Sequence, residues 1–166
     1  MSLDTSNLSL TQLIDHIEAT HHQYVRKTAP MLLEYISTLV EVHSDEHPEL
    51  TNLSMWVNAL VEDLMPHLMK EEQILFPAIK AMETGNQVNS CFGHIGNPIT
   101  AMEHEHHHAT DILNKLRELT DNYQAPESAC KTWKLCYQTL AEFEADLLAH
   151  IDIENNQLFT RTLAQA

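Results

Sequence analysis

The stretch HLMKEEQILFP, residues 67–77, has the composition of a helix interior, yet His67 and Glu71 fall where an apolar stripe should run. The stripe is clear on the N-terminal side. Leu53, Val57, Leu60 and Leu64 recur every three or four residues, the spacing of one α-helical face. The series passes through His67 and Glu71, then resumes at Ile74, Ala78 and Met82. One helix is therefore predicted from Pro48, a residue suited to a first turn, to Met82. Its core face carries an imidazole and a carboxylate.

The construction occurs twice. HIDIENNQLF (150–159) matches HLMKEEQILF (67–76) in its His, in a Glu four residues on, and in a Leu-Phe pair eight and nine residues on. The second copy extends the stripe Trp133, Tyr137, Leu140, Phe143, Leu147 through His150 and Glu154 to Leu158, in a helix spanning about 127–163. Two further helices are legible. One runs from Ser9, a suitable N-cap, to about Val42, on Val25, Ala29, Leu32, Ile36 and Leu39. Extended backward, its stripe meets His22, Ile17 and Ile14. The other runs from about Pro98 to Leu119 on Ile99, Met102, Ala109, Leu113 and Leu116, with His106 in register.

The links are SDEHPEL, the glycine-bearing TGNQVNSCFGHIGNP and TDNYQAPES. The expected fold is all-α, an antiparallel up-down-up-down four-helix bundle over residues 9–166, preceded by an N-terminal tail, 1–8. The bulk composition agrees. With 24 acidic and 9 basic residues the formal charge is −15, which argues against nucleic acid or an anionic membrane surface as partner. No apolar run is long enough to cross a bilayer, and MSLDTSNLSL lacks the features of a signal peptide. Three cysteines without a CxxC pair fit reduced thiols, so a cytoplasmic protein is expected.

All four helices thus turn a histidine inward, and two add a glutamate one turn later. Counted from the helix ends at about 1.5 Å per residue, His22, His67, His106 and His150 can share one layer of an antiparallel bundle. Two buried carboxylates repel each other and are costly without a counter-charge. Facing four imidazoles, they make sense around cations. The donor set suits Fe or Mn, and two bridging carboxylates imply two metals. Glu72 is expected to be solvated; Glu103 and Glu105, one turn before and beside His106, are expected on a solvated helix face, with lining the site or a solvent path as the alternative. His16, His21, His47, His94, His104, His107 and His108 are expected at the surface or behind the ligands. His43 continues the first stripe but lies 21 residues beyond His22, about 32 Å along a straight helix, so it reads as a helix-end residue.

With those residues placed, the phrases LIDHIEATHHQ, HLMKEEQILFPAIK, MEHEHHHA and LLAHIDIENNQLF resemble the hemerythrin-like domains, and within them the repair of iron centres family, also called YtfE-like or ScdA-like. The resemblance spans about Gln12 to Leu163. It implies a di-iron four-helix bundle whose ligands fall on His22, His67, Glu71, His106, His150 and Glu154, the glutamates bridging two Fe ions with or without an added oxo or hydroxo group. It also implies a histidine at the position of His43 in VEVHSDE. Members usually carry a small N-terminal domain with a cysteine pair, whereas here helix 1 starts almost at once, so the bundle is expected without it.

The implied function is a response to nitrosative and oxidative stress: repair of iron–sulfur clusters, by donating iron or by reacting with nitric oxide. Damaged or apo iron–sulfur proteins and a diatomic ligand (NO or O₂) would be the partners. The alternative is reversible O₂ binding or sensing. Hemerythrins proper resemble a pattern with a second His one turn from the third-helix His and a wider His-to-carboxylate spacing on the fourth helix. Here the residues four from His106 are Met102 and Thr110, and the fourth helix reads HxxxE. A ferritin-like oxidase needs Glu-x-x-His on two helices, and only Glu103–His106 fits.

Overall fold

The structure, a computed structural model, describes residues 5–86 and 91–166. Part of the glycine-bearing link, residues 87–90, and the first four residues of the tail lie outside them. Among the described residues there are four helical rods and no strand. The first rod joins α1 (Leu10–Ile17) to α2 (Gln23–His43). The second joins α3 (Glu49–Lys70) to α4 (Phe76–Glu83). The third is α5 (Gly96–Leu119). The fourth joins α6 (Lys131–Ile153) to α7 (Thr160–Gln165). α2 packs on α3 and α6, and α5 packs on α3 and α6, which closes an up-down-up-down ring. No described helix is long and apolar enough to cross a membrane.

Local chemistry sets the rod ends. Ser9 caps α1 through a reciprocal pair: its hydroxyl accepts from the Gln12 amide, and the Gln12 side chain accepts from the Ser9 amide. Glu83, at the end of α4, then accepts from the amides of Leu10 (2.7 Å) and Thr11 (2.9 Å) and from the Thr11 hydroxyl, tying the first rod to the second. Pro48 immediately precedes α3, as expected. The turn after α5 holds Asp121, Asn122 and Tyr123 in the left-handed region, with φ of 48°, 57° and 62°. Side chains disfavour that region, so the turn needs an anchor.

Three rods are interrupted by a single π turn: Glu18–His22, Glu71–Leu75 and Glu154–Phe159. Each extra residue rotates the stripe that follows. This corrects one expectation. Ile74, assigned to the core by strict three-four spacing, is 45% exposed, while Leu75, Phe76 and Ile79 are buried. The fourth rod behaves alike, burying Leu158 and Phe159.

The apolar interior forms two clusters. The larger, in the body of the bundle, runs from Val25 to Leu39 and draws on Leu53, Leu60, Leu113, Trp133 and Phe143. The smaller cap packs Leu13, Ile14 and Ile17 against Phe76, Ile79 and Phe159. Burying each large side chain contributes on the order of 1.5–3 kcal/mol. Between the clusters lies a polar layer.

Candidate metal centre

The layer consists of His22, His67, Glu71, His106, His150 and Glu154, all buried. The π turns position it. His22 is the last residue of the first turn, while Glu71 and Glu154 open the other two, one helical turn after His67 and His150. π turns of this kind recur at functional sites because they reorient side chains without ending the helix.

The six side chains sort into two overlapping groups, each with its donor atoms within 4.8 Å of one another: His22, Glu71, His150, Glu154 and His67, Glu71, His106, Glu154. Both glutamates belong to both groups, and their oxygens divide between them. Glu71 turns Oε2 to His22 Nε2 and Oε1 to His67 Nε2, both at 3.3 Å. Glu154 turns Oε1 to His150 Nε2 at 2.8 Å and Oε2 to His106 Nε2 at 3.0 Å. The imidazole nitrogens also face one another, His22 with His150 at 3.2 Å and His67 with His106 at 3.0 Å. Two lone pairs cannot meet at that distance without a proton or a cation between them.

The electrostatics say the same. Burial disfavours the charged form of His22, yet the bonds and charges of Glu154 and Glu71 override it and raise its pKa to about 10. His106 is driven to about 10 by the same balance of burial against Glu154 and Glu71. Burial and the charge of Glu154 push the Glu71 carboxyl up, but His67, His106 and His22 win and hold it at about 2. Glu154 is likewise held well below the usual carboxylate range, against its burial, by His150, His106 and His22. The layer therefore demands positive charge. Both Glu71 oxygens and Glu154 Oε2 are buried without an aligned hydrogen bond, so the protein leaves these acceptors open. Open carboxylate oxygens converging with imidazole Nε2 atoms fit a metal ion.

Behind the layer, three imidazoles are oriented through Nδ1. His22 donates to Glu72 Oε1 at 2.8 Å, and Arg26 grips the same carboxylate at 2.7 and 2.8 Å. His67 donates to Glu105 Oε2 at 2.7 Å, and Lys70 binds the other Glu105 oxygen. His106 donates to Asn155 Oδ1 at 2.8 Å. Such bonds fix the tautomer that turns the Nε2 lone pair inward. The fourth, His150, has a buried Nδ1 with no partner. It stacks on His21, ring centroids 5.4 Å apart, and His21 is held by Asp146 Oδ1 at 2.9 Å.

Two expectations are corrected here. Glu72 and Glu105 are not solvated-face residues, because each receives a layer histidine. Their positions beside the stripe residues Glu71 and His106 were visible, but their partners lie on other rods. His43 ends α2, as expected, far from the layer and with Nε2 3.4 Å from Cys130 Sγ. α2 runs unbroken through Pro30. Met102 is buried in the cap cluster, and Thr110 donates its hydroxyl to the His106 carbonyl, so neither adds a donor to the layer. A cavity of about 330 Å³ opens beside the layer between α3, α5 and α6, reaching His67, His106 and His150.

The sequence matches the Hemerythrin HHE cation binding domain over residues 13–162. The chain belongs to the hemerythrin HHE family. Within it, the chain is similar to the iron–sulfur cluster repair protein YtfE of Enterobacter sp. (strain 638), with 38% identity over 161 residues, covering 97% of this chain and 70% of that protein. The YtfE proteins of Salmonella newport (strain SL254) and Salmonella agona (strain SL483) show the same identity and coverage. This HHE chain thus has a polar layer able to hold metal inside a four-helix fold, as a cation-binding domain requires.

Proposed function

We propose that the bundle, residues 9–166, repairs iron–sulfur clusters damaged by nitric oxide or oxidants, using a di-iron centre held by His22, His67, Glu71, His106, His150 and Glu154. One observation carries the reading: each of two buried carboxylates turns one oxygen to each of two histidine pairs. Such a frame would hold two ions, with His22 and His150 serving one, His67 and His106 the other, and Glu71 and Glu154 offering an oxygen to each. The donor set fits iron or manganese, and the repair proteins named YtfE to which the chain is similar favour iron. Bound, the irons would supply open positions for a diatomic ligand, NO or O₂, and a store of releasable metal.

The chain's own residues do the rest. Glu72, Glu105 and Asn155 hold three imidazoles in the tautomer that presents Nε2. The cap cluster shields the layer on one side, and the cavity gives access from another. In the absence of metal, the Nε2 atoms of His22 and His106, whose basicity the glutamates raise, would hold protons and keep the layer near neutrality. The recipients would be apo or damaged iron–sulfur proteins in the cytoplasm, where the three free cysteines stay reduced. Without an added histidine at Met102 or Thr110, the layer offers fewer nitrogen donors than the O₂-carrying pattern.

The test is anaerobic reduction of the iron-loaded protein, then separate exposure to O₂ and to nitric oxide, with absorbance and iron loss recorded. Transfer of iron to an apo cluster protein is the expected result. A stable, reversible O₂ adduct with no transfer overturns repair in favour of hemerythrin-type O₂ binding.

A further inference from the structure

Three of the four layer imidazoles have an orienting bond at Nδ1, and His150 has none. A ligand imidazole must still hold its ring plane, or its Nε2 atom swings away from the ion. His150 meets that need by packing. The buried His21 ring lies flat against it, with centroids 5.4 Å apart and planes 6° apart. His21 is itself fixed. Its Nδ1 donates to Asp146 Oδ1 at 2.9 Å, and the His16 ring meets it edge-on, centroids 6.2 Å apart. Asp146 stands one turn before His150 on α6, so one helix carries both the layer imidazole and the group that locks its stacking partner. His21 and His22 close the first π turn side by side. That turn sends one imidazole into the layer and lays its neighbour on another layer ring.

The same device occurs twice more, with phenylalanine. Phe76 stacks on His22, centroids 5.6 Å apart, and Phe159 on His106, 6.0 Å apart. Those two imidazoles also have Nδ1 bonds, to Glu72 and Asn155. His150 has the stack without the bond. The two donor groups are therefore unequal. His67 and His106 both have bonded Nδ1 atoms, whereas in the other group His22 does and His150 does not.

We propose that His21, locked by Asp146, is the positioning residue of His150, and that the ion held between His22 and His150 is the weaker of the two and the first to be released. The order of release rests on the di-iron reading above; the positioning role does not.

Two measurements on His21→Ala, His21→Phe and Asp146→Ala test this. In the metal-free chain, the order of the His150 ring is read from NMR relaxation of labelled ring carbons. It should fall in His21→Ala and in Asp146→Ala and be kept in His21→Phe, with the His67 ring unchanged throughout. Undiminished order at His150 in His21→Ala, or an equal fall at His67, overturns the positioning role. In the iron-loaded protein, competition with a chelator should remove iron in two steps, one ion each. His21→Ala should weaken the first step about 2–10-fold, the range for one aromatic pair, and leave the second unchanged, and His21→Phe should restore it. Removal of both ions in a single step, or an effect of His21→Ala on the second step, overturns the order of release. A chain that takes no iron sinks the di-iron reading and the release order with it, while the ring-order result stands or falls by itself.

Discussion

Two buried settings for glutamate sit within one bundle, and they are built on opposite rules. Glu144, on α6, is 4% exposed and fully answered: Arg117 donates from Nε at 2.5 Å and again from its terminal nitrogen, and the Tyr123 hydroxyl donates to the other oxygen. Burial, and then the Glu144 carboxylate, push the Tyr123 hydroxyl above its usual pKa, so it stays a donor. That anchor secures the left-handed turn at Asp121–Tyr123. Glu71 and Glu154 have no arginine, no tyrosine and open acceptor atoms. A carboxylate buried for architecture brings its counter-charge in the sequence. One buried for binding leaves that charge to be supplied from outside.

The largest effect expected from breaking this contrast is on metal content. Glu71→Ala or Glu154→Ala should remove most bound iron, measured by elemental analysis of purified protein, because each glutamate serves both groups. Unchanged iron in both variants would sink the ligand assignment.

Next in size is a pH effect confined to the metal-free protein. His22 and His106 have folded pKa values raised to about 10, above the ordinary 6.5. Their contribution to stability is fully present below about pH 6.5 and is lost as pH rises through about 10. Glu71, held at about 2, contributes above its ordinary 4.5 and loses that contribution as pH falls through about 2. Thermal scans of metal-free protein should therefore show Tm falling between about pH 6.5 and 10. Iron-loaded protein, with its Nε2 atoms occupied, should lack the fall, and parallel curves for the two forms would refute the argument.

Third, Glu72→Gln or Asn155→Ala should weaken metal binding by about 10–100-fold while leaving the fold intact, as read from competition with a chelator. His150 has no Nδ1 partner to lose, so it offers no counterpart. Smallest for the metal, Glu144→Ala should leave iron content unchanged and cost about 1–3 kcal/mol, the hydrogen-bond loss at a buried site, in urea denaturation. A loss of iron there would blur the distinction between the two settings.

The paired HxxxE-x4-LF blocks made much of this visible beforehand. A stripe that runs Leu64, His67, Glu71 can only put those side chains inward, so the four rods and the six layer residues followed from spacing alone. What escaped was what spacing cannot carry. Glu72 and Glu105 acquire their roles from His22 and His67 on other rods, a relation that exists only after packing. The π turns did leave a trace: the steps from Ile17 to His22, Glu71 to Phe76 and Glu154 to Phe159 are each five residues, one too many for an α-helical face. Ile74 was misplaced because three-four spacing was enforced across that step.

The position of the polar layer has a consequence for how the molecule opens. A continuous core unfolds as one unit, but here the cap built from α1, α4, the start of α5 and the π turn Glu154–Phe159 meets the body largely across ionisable atoms. Metal in the two donor groups, each drawing on three rods, would fasten cap to body, and without it the cap is held by its own cluster, within which Glu83 ties α4 to α1. Occupancy of the buried centre should then be legible from outside as amide-hydrogen exchange: rapid in α1 and α4 of the empty protein, slow in the filled one, and the same in both through the middle of α2 and α3.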